Sequence, residues 1–152
     1  MDGSYASHRL RSGRISEPRR AYHVRFSVRR GSPSLAGLWP ARSVTKALIE
    51  TAPQAETLCF VVMPDHAHWL LRLHEDADLS EVVQKARSLA SKAIRGQVGW
   101  SGFAWQPGFF DRALRRDEDL VAVARYIVAN PVRAGLVKNV RDYPHWDAVW
   151  LE

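Results

Sequence analysis

The sequence predicts an α+β fold: an antiparallel sheet with helices packed on one face, of the split β-α-β kind. Three observations predict it. Residues 21–30 alternate between apolar and polar side chains, residues 57–63 are an almost unbroken apolar run, and two later segments repeat apolar residues at steps of three and four. In order, the elements read strand, helix, strand, strand, helix, strand, helix.

The first strand puts Tyr22, Val24, Phe26 and Val28 on one side and His23, Arg25, Ser27 and Arg29 on the other. Period two marks a half-buried strand whose polar side is basic. Gly31, Pro33, Gly37 and Pro40 make the next ten residues a loop. Residues 43–51 follow as a short helix. The run at 57–63 suits a strand buried on both faces. Pro64 and Asp65 turn the chain, and residues 66–73 return as the partner strand of a hairpin.

Leu79, Val82, Val83, Ala86, Leu89, Ala90, Ala93 and Ile94 form one helical stripe, ended by Gly96 and Gly99. The aromatic-rich stretch 100–110 reads as a loop and a strand. The last helix covers residues 117–130. Asp117, Glu118 and Asp119 sit in its first turn, where carboxylates suit the helix dipole. Leu120, Val123, Ala124, Ile127 and Val128 face the core, and Pro131 ends it.

The chain has 152 residues, 46% hydrophobic and 25% charged, as expected of one globular domain. Residues 1–20 form a basic, flexible arm with no apolar periodicity, and residues 21–152 form the folded domain. A single cysteine, Cys59, rules out an intrachain disulfide and suits a reducing compartment. The arm lacks the apolar core of a secretory signal, and the apolar run near residue 60 is too short to cross a bilayer. The expected location is cytoplasmic and nucleoid-associated, with no membrane partner. Twenty-two Lys and Arg against 16 acidic residues give a net charge of +6. Such a surface attracts polyanions, nucleic acid first among them.

His66 and His68 stand two apart on a strand, so both imidazoles share a face while Ala67 closes the hydrophobic layer behind them. Two neutral imidazoles at this spacing can chelate one divalent cation; taken alone, the pair reads more often as structural. At about 100° per residue, Tyr126 falls beside the apolar stripe of the last helix. Asn130, four residues on, is its neighbour on the helix surface. If this helix covers the histidine face, the four residues meet. Two imidazoles and an amide oxygen then make an incomplete metal shell with room for a phosphate oxygen.

Three segments resemble a known family. They are MPDHAHWLL at residues 63–71, WQPGFFDRALR at 105–115 and ARYIVANPVRAGLV at 124–137. Together they are similar to the single-tyrosine HUH transposases, and within those to the REP-associated tyrosine transposases. The resemblance runs from about Tyr22 to Trp146. It implies a ferredoxin-like HUH nuclease fold and a substrate of single-stranded DNA beside hairpins formed by REP-like palindromes. It also implies metal-dependent cleavage by Tyr126 through a 5′-phosphotyrosine, followed by strand transfer. His66, His68 and Asn130 would hold Mg²⁺ or Mn²⁺. Many relatives carry histidine where this chain has Arg112, so no role transfers to that position. Asp65 reads as a turn residue, and Asp119 as a possible outer group behind Tyr126.

Expected DNA contacts are Arg19, Arg20, Arg25, Arg29, Lys85, Lys92 and Arg115, with Arg30, Arg87, Arg95, Arg116 and Arg133 as further candidates. Trp69 and Trp105 could stack on bases, although a core position suits both better. The assembly is expected to be a monomer or a homodimer. The main alternative is a non-catalytic hairpin-DNA-binding protein of architectural or regulatory type. A water-activating metallohydrolase would need a third strong ligand that no motif supplies, and an RNA-binding domain would need an aromatic strand motif that is not seen.

Overall fold

In the computed structural model, Glu17 and residues 19–150 are described. Five strands form one antiparallel sheet: β1 (Ala21–Ser27), β2 (Ala55–Val62), β3 (His66–Leu73), β4 (Phe110–Ala113) and β5 (Trp146–Ala148), in the order β4-β1-β3-β2-β5. Among the described residues, four α-helices accompany it, α1 (Leu38–Glu50), α2 (Leu79–Arg95), α3 (Leu120–Val128) and the single turn α4 (Asn130–Arg133), with a 3-10 turn at Val140–Asp142. The β-α-β-β-α-β order with β1 beside β3 is the ferredoxin-like arrangement.

Alternation along the strands builds two cores, one on each side of the sheet. Tyr22, Val24 and Phe26 of β1 join Ala67, Trp69 and Leu71 of β3 under α1 and α2. This is the larger core, on the face that the sequence predicts to be covered by helices. Leu70, Cys59, Val61 and Leu114 point the other way and meet Ala124 and Ile127 of the shorter α3. A bulge lies between Thr57 and Cys59 of β2. The extra residue resets the alternation, so both Thr57 and Phe60 serve the larger core side. Trp69 is fully buried, and its indole N–H donates to the Thr57 hydroxyl at 3.0 Å.

β3 and α2 have the predicted bounds. Asp78 caps α2 by accepting the Glu81 N–H at 3.1 Å. Helix α1 begins at Leu38, five residues before the expected start at residue 43, because Pro40 falls in its first turn, where no intrahelical N–H bond is lost. The fourth strand, at residues 110–113, starts at the last residue of the aromatic stretch. The last helix is shorter than residues 117–130. Asp119 is its cap, accepting the Ala122 N–H at 3.1 Å, so Asp117 and Glu118 lie outside it. Pro131 occupies the first turn of α4 and does not simply end α3. Most of the arm expected at residues 1–20 lies outside the described residues. Among the described residues, no helix is long and apolar enough to cross a membrane.

Candidate active site

β3 places His66 and His68 on the face opposite the main core, with Ala67 fully buried between them. Their ring centroids are 4.9 Å apart. The turn before His66 is pinned by three backbone bonds: Met63 N–H to His66 O at 2.7 Å, Val28 N–H to Asp65 O at 2.8 Å and Leu35 N–H to Pro64 O at 2.6 Å. Asp65 does more than turn the chain, for its carboxylate meets His66 Nδ1 at 2.7 Å. A carboxylate at Nδ1 favours a proton there and leaves the Nε2 lone pair for a ligand.

A third imidazole belongs to the cluster. His23 Nε2 lies 2.9 Å from His68 Nδ1, and the two ring centroids are 5.1 Å apart. In the sequence His23 stood out only as one of several polar residues on the outer side of the first strand. The pairing of β1 with β3 sets Arg25 opposite His68 and His23 opposite Leu70, which puts the His23 ring diagonally beside His68. On its other flank His23 faces Arg112 across β4. Burial, then the Arg112 and Arg25 cations, push its pKa down to about 4. Burial lowers His68 further, to about 2, with His23, His66, Arg25 and Arg133 adding to the effect. Both rings are therefore neutral at ordinary pH, the form a metal requires.

Tyr126 projects from α3 with 64% of its surface exposed, beside buried Ala124 and Ile127. The Arg133 guanidinium covers its ring, 3.9 Å from the centroid. The same cation is one of the charges that disfavour protonation of His68. Only Ala129, itself in the right-handed helical region, separates α3 from α4. Asn130 is the first residue of α4. Its amide nitrogen donates to Ile127 O at 2.7 Å, so its carbonyl oxygen, the potential metal ligand, is outside that bond.

Among the described residues, no group of three or more His, Cys, Asp or Glu is arranged for a metal ion. A metal shell here would need the Asn130 amide as well as the two Nε2 atoms, and that donor set suits a divalent cation with open positions. Arg112 is held in a two-pronged pair by Glu118 at 3.1 and 3.0 Å. That bond, with the Arg115 N–H, holds the Glu118 carboxyl below the usual range.

The other candidate residues fall into two groups. Arg19, Arg20 and Arg115 line a cavity of about 210 Å³ with Arg72 and Arg116. Arg72 shares the histidine face by alternation, as does Arg25. Arg20 also donates to Leu114 O and to Glu17. Lys85 and Lys92 belong to α2 on the other side of the sheet, where Lys85 donates to Gln54 at 2.9 Å. Arg29 lines a recess of about 430 Å³ with Arg87 and Arg95. Trp105 is half-buried and donates to Arg87 O at 3.0 Å.

The family of IS200-like transposases matches residues 40–130. A Haemophilus influenzae protein named REP-associated tyrosine transposase is 33% identical over 115 residues, covering 68% of this chain and 64% of that protein. An Escherichia coli K12 protein of the same name is 34% identical over 90 residues, covering 59% of this chain and 52% of that one. The chain thus spans less than two thirds of the length of these curated relatives. A solved structure of a REP-associated tyrosine transposase bound to a REP hairpin superposes with a TM-score of 0.71 at 27% identity, covering 88% of this chain and 79% of that one. The matched segment contains His66, His68, Tyr126 and Asn130, and the chain belongs to the IS200-like transposase family, with the REP-associated tyrosine transposases as relatives.

Proposed function

We propose that this protein cuts and rejoins single-stranded DNA beside REP-like hairpins, with Tyr126 as the nucleophile. One observation carries the reading: α3, packed on the sheet face that bears His66 and His68, carries an exposed tyrosine whose ring is covered by Arg133. The relative solved with a REP hairpin supports the choice of DNA.

The Tyr126 oxygen attacks phosphorus, its bond to phosphorus forms, and the bond to the DNA 3′-oxygen breaks. The 3′-oxygen takes a proton from solvent and leaves as a hydroxyl. Solvent also accepts the phenol proton. The phosphodiester is conserved as a 5′-phosphotyrosine, so another 3′-hydroxyl can attack it and release Tyr126. Arg133 orients the phenol ring and offers a cation to the phosphate. His66 and His68, with Asn130, would hold Mg²⁺ or Mn²⁺. Such an ion would supply Lewis-acid polarisation of the scissile phosphate. Arg19, Arg20, Arg25 and Arg115, on or beside the same face, would hold the backbone. Lys85, Lys92 and Arg29 could reach only DNA that wraps to the α2 side.

The test is incubation with Mn²⁺ and labelled hairpin DNA carrying single-stranded flanks, wild type beside Tyr126→Phe. A denaturant-resistant adduct with wild type alone is expected. Specific binding with no adduct in either protein would establish the non-catalytic hairpin-binding alternative. Nicking that survives in Tyr126→Phe would assign the chemistry to water.

A further inference from the structure

We infer that His23 is a positioning residue for the metal site: by accepting the Nδ1 proton of His68 it reserves the His68 Nε2 lone pair for the ion. The inference rests on reading His66 and His68 as ligands.

The two would-be ligands are held alike. His66 Nδ1 meets the Asp65 carboxylate at 2.7 Å, and His68 Nδ1 meets His23 Nε2 at 2.9 Å. Each ring therefore has its Nδ1 occupied, which leaves Nε2 as the atom for coordination. A carboxylate has only lone pairs, so the proton between Asp65 and His66 belongs to His66. Between two neutral imidazoles the proton can sit on either ring. If His23 donates from Nε2, His68 carries its own proton on Nε2 and cannot ligate. If His23 accepts, the proton is on His68 Nδ1 and both ligands present matching lone pairs. A free imidazole prefers its proton on Nε2, so His68 needs an acceptor at Nδ1. The contact is set by strand register, since the antiparallel pairing of β1 with β3 fixes His23 one diagonal step from His68. The third imidazole thus completes a layer behind the ligands, of the kind whose loss weakens metal binding by about 10–100-fold in other sites.

The experiment has two readouts, neither of them turnover. In the metal-free protein, nitrogen-15 NMR of the imidazoles reports which ring atom carries each proton. The expected result is His68 protonated on Nδ1; a proton on His68 Nε2 overturns the inference, whatever the metal does. Titration with Mn²⁺ alone then compares wild type, His23→Leu and His23→Gln. The leucine removes the acceptor, whereas the glutamine amide oxygen restores one at similar reach. Affinity about 10–100-fold weaker in His23→Leu, and largely recovered in His23→Gln, is expected. Equal affinity in all three overturns the role of His23 and leaves the ligand assignment standing. A wild type that takes up no Mn²⁺ overturns the ligand assignment itself, and this inference with it.

Discussion

Ile127→Ala tests how the nucleophile is held in place. Helix α3 has nine residues, and only Ala124 and Ile127 are buried. An isolated helix of that length is marginal in water, so its order comes from packing. Ile127 is fully buried against the layer of Leu70, Cys59 and Val61, with Leu120, Val123 and Val128 only partly covered beside it. Alanine removes three carbons, at about 0.8 kcal/mol each by transfer, or about 2.4 kcal/mol in all before any cavity cost. Measured changes of this type run from about 2 to 5 kcal/mol. At about 1.4 kcal/mol per factor of ten, the transfer figure of about 2.4 kcal/mol makes local opening of α3 about 50-fold more frequent. Hydrogen exchange resolved along the chain should show this loss at α3, with β1 and β3 less affected, and adduct formation should slow in parallel. Ile127→Val, with one carbon removed, should show about a third of the transfer effect. Exchange at α3 unchanged within a factor of three, with an unchanged adduct rate, would refute the claim that this contact holds Tyr126 over the site.

Other outcomes follow from the same geometry. Arg133→Ala should slow adduct formation by about 10-fold or more, as expected of a lost charge-assisted contact, with Arg133→Lys intermediate; single-turnover kinetics with saturating DNA measures it. In metal-free protein, His23 binds its proton less readily folded, at about 4, than unfolded, at 6.5. The unfolded state therefore takes up more protons in that window: stability is full above pH 6.5 and falls as pH drops towards 4. Melting temperatures across pH 4–7 should fall on the acid side, with a shallower slope in His23→Leu. Cys59 is buried and its thiol is pushed up to about 12, mainly by burial. At pH 8 the folded protein should resist an aromatic disulfide reagent that labels the denatured chain at once; rapid labelling of the folded form would contradict this burial.

Much of the site was legible because it is local. The alternation in His66, Ala67 and His68 needs only the period of a strand, and the position of Tyr126 beside its stripe needs only the period of a helix. His23 was different. Its alternation put it on the basic side of β1, but only the pairing with β3 shows which side chain it meets. Arg133 was legible as a charge and not as a neighbour of Tyr126, since it lies beyond the predicted helix end at Pro131, where the structure instead continues with the turn of α4. In the fold, Pro40 masked the first turn of α1 because a proline near a helix start looks the same in sequence as one that breaks it. Three-residue β5 is too short to display any period. It is held by pairing with β2 and by the Tyr143 hydroxyl donating to Val62 O.

Strand β3 interleaves two kinds of information. Its odd-numbered members from Ala67 to Leu73 are buried in the main core, while His66 and His68 face the opposite side, towards the candidate site. Evolution can therefore revise one side by substitution without rewriting the other. The arrangement is fragile to a different kind of change. A single-codon deletion or insertion inside β3 would exchange the two faces beyond the lesion, turning Trp69 towards the DNA side and a histidine into the hydrocarbon. Among natural variants of this chain, length changes should collect in the loops around residues 30–37 and 96–102, and β3 should drift by substitution alone.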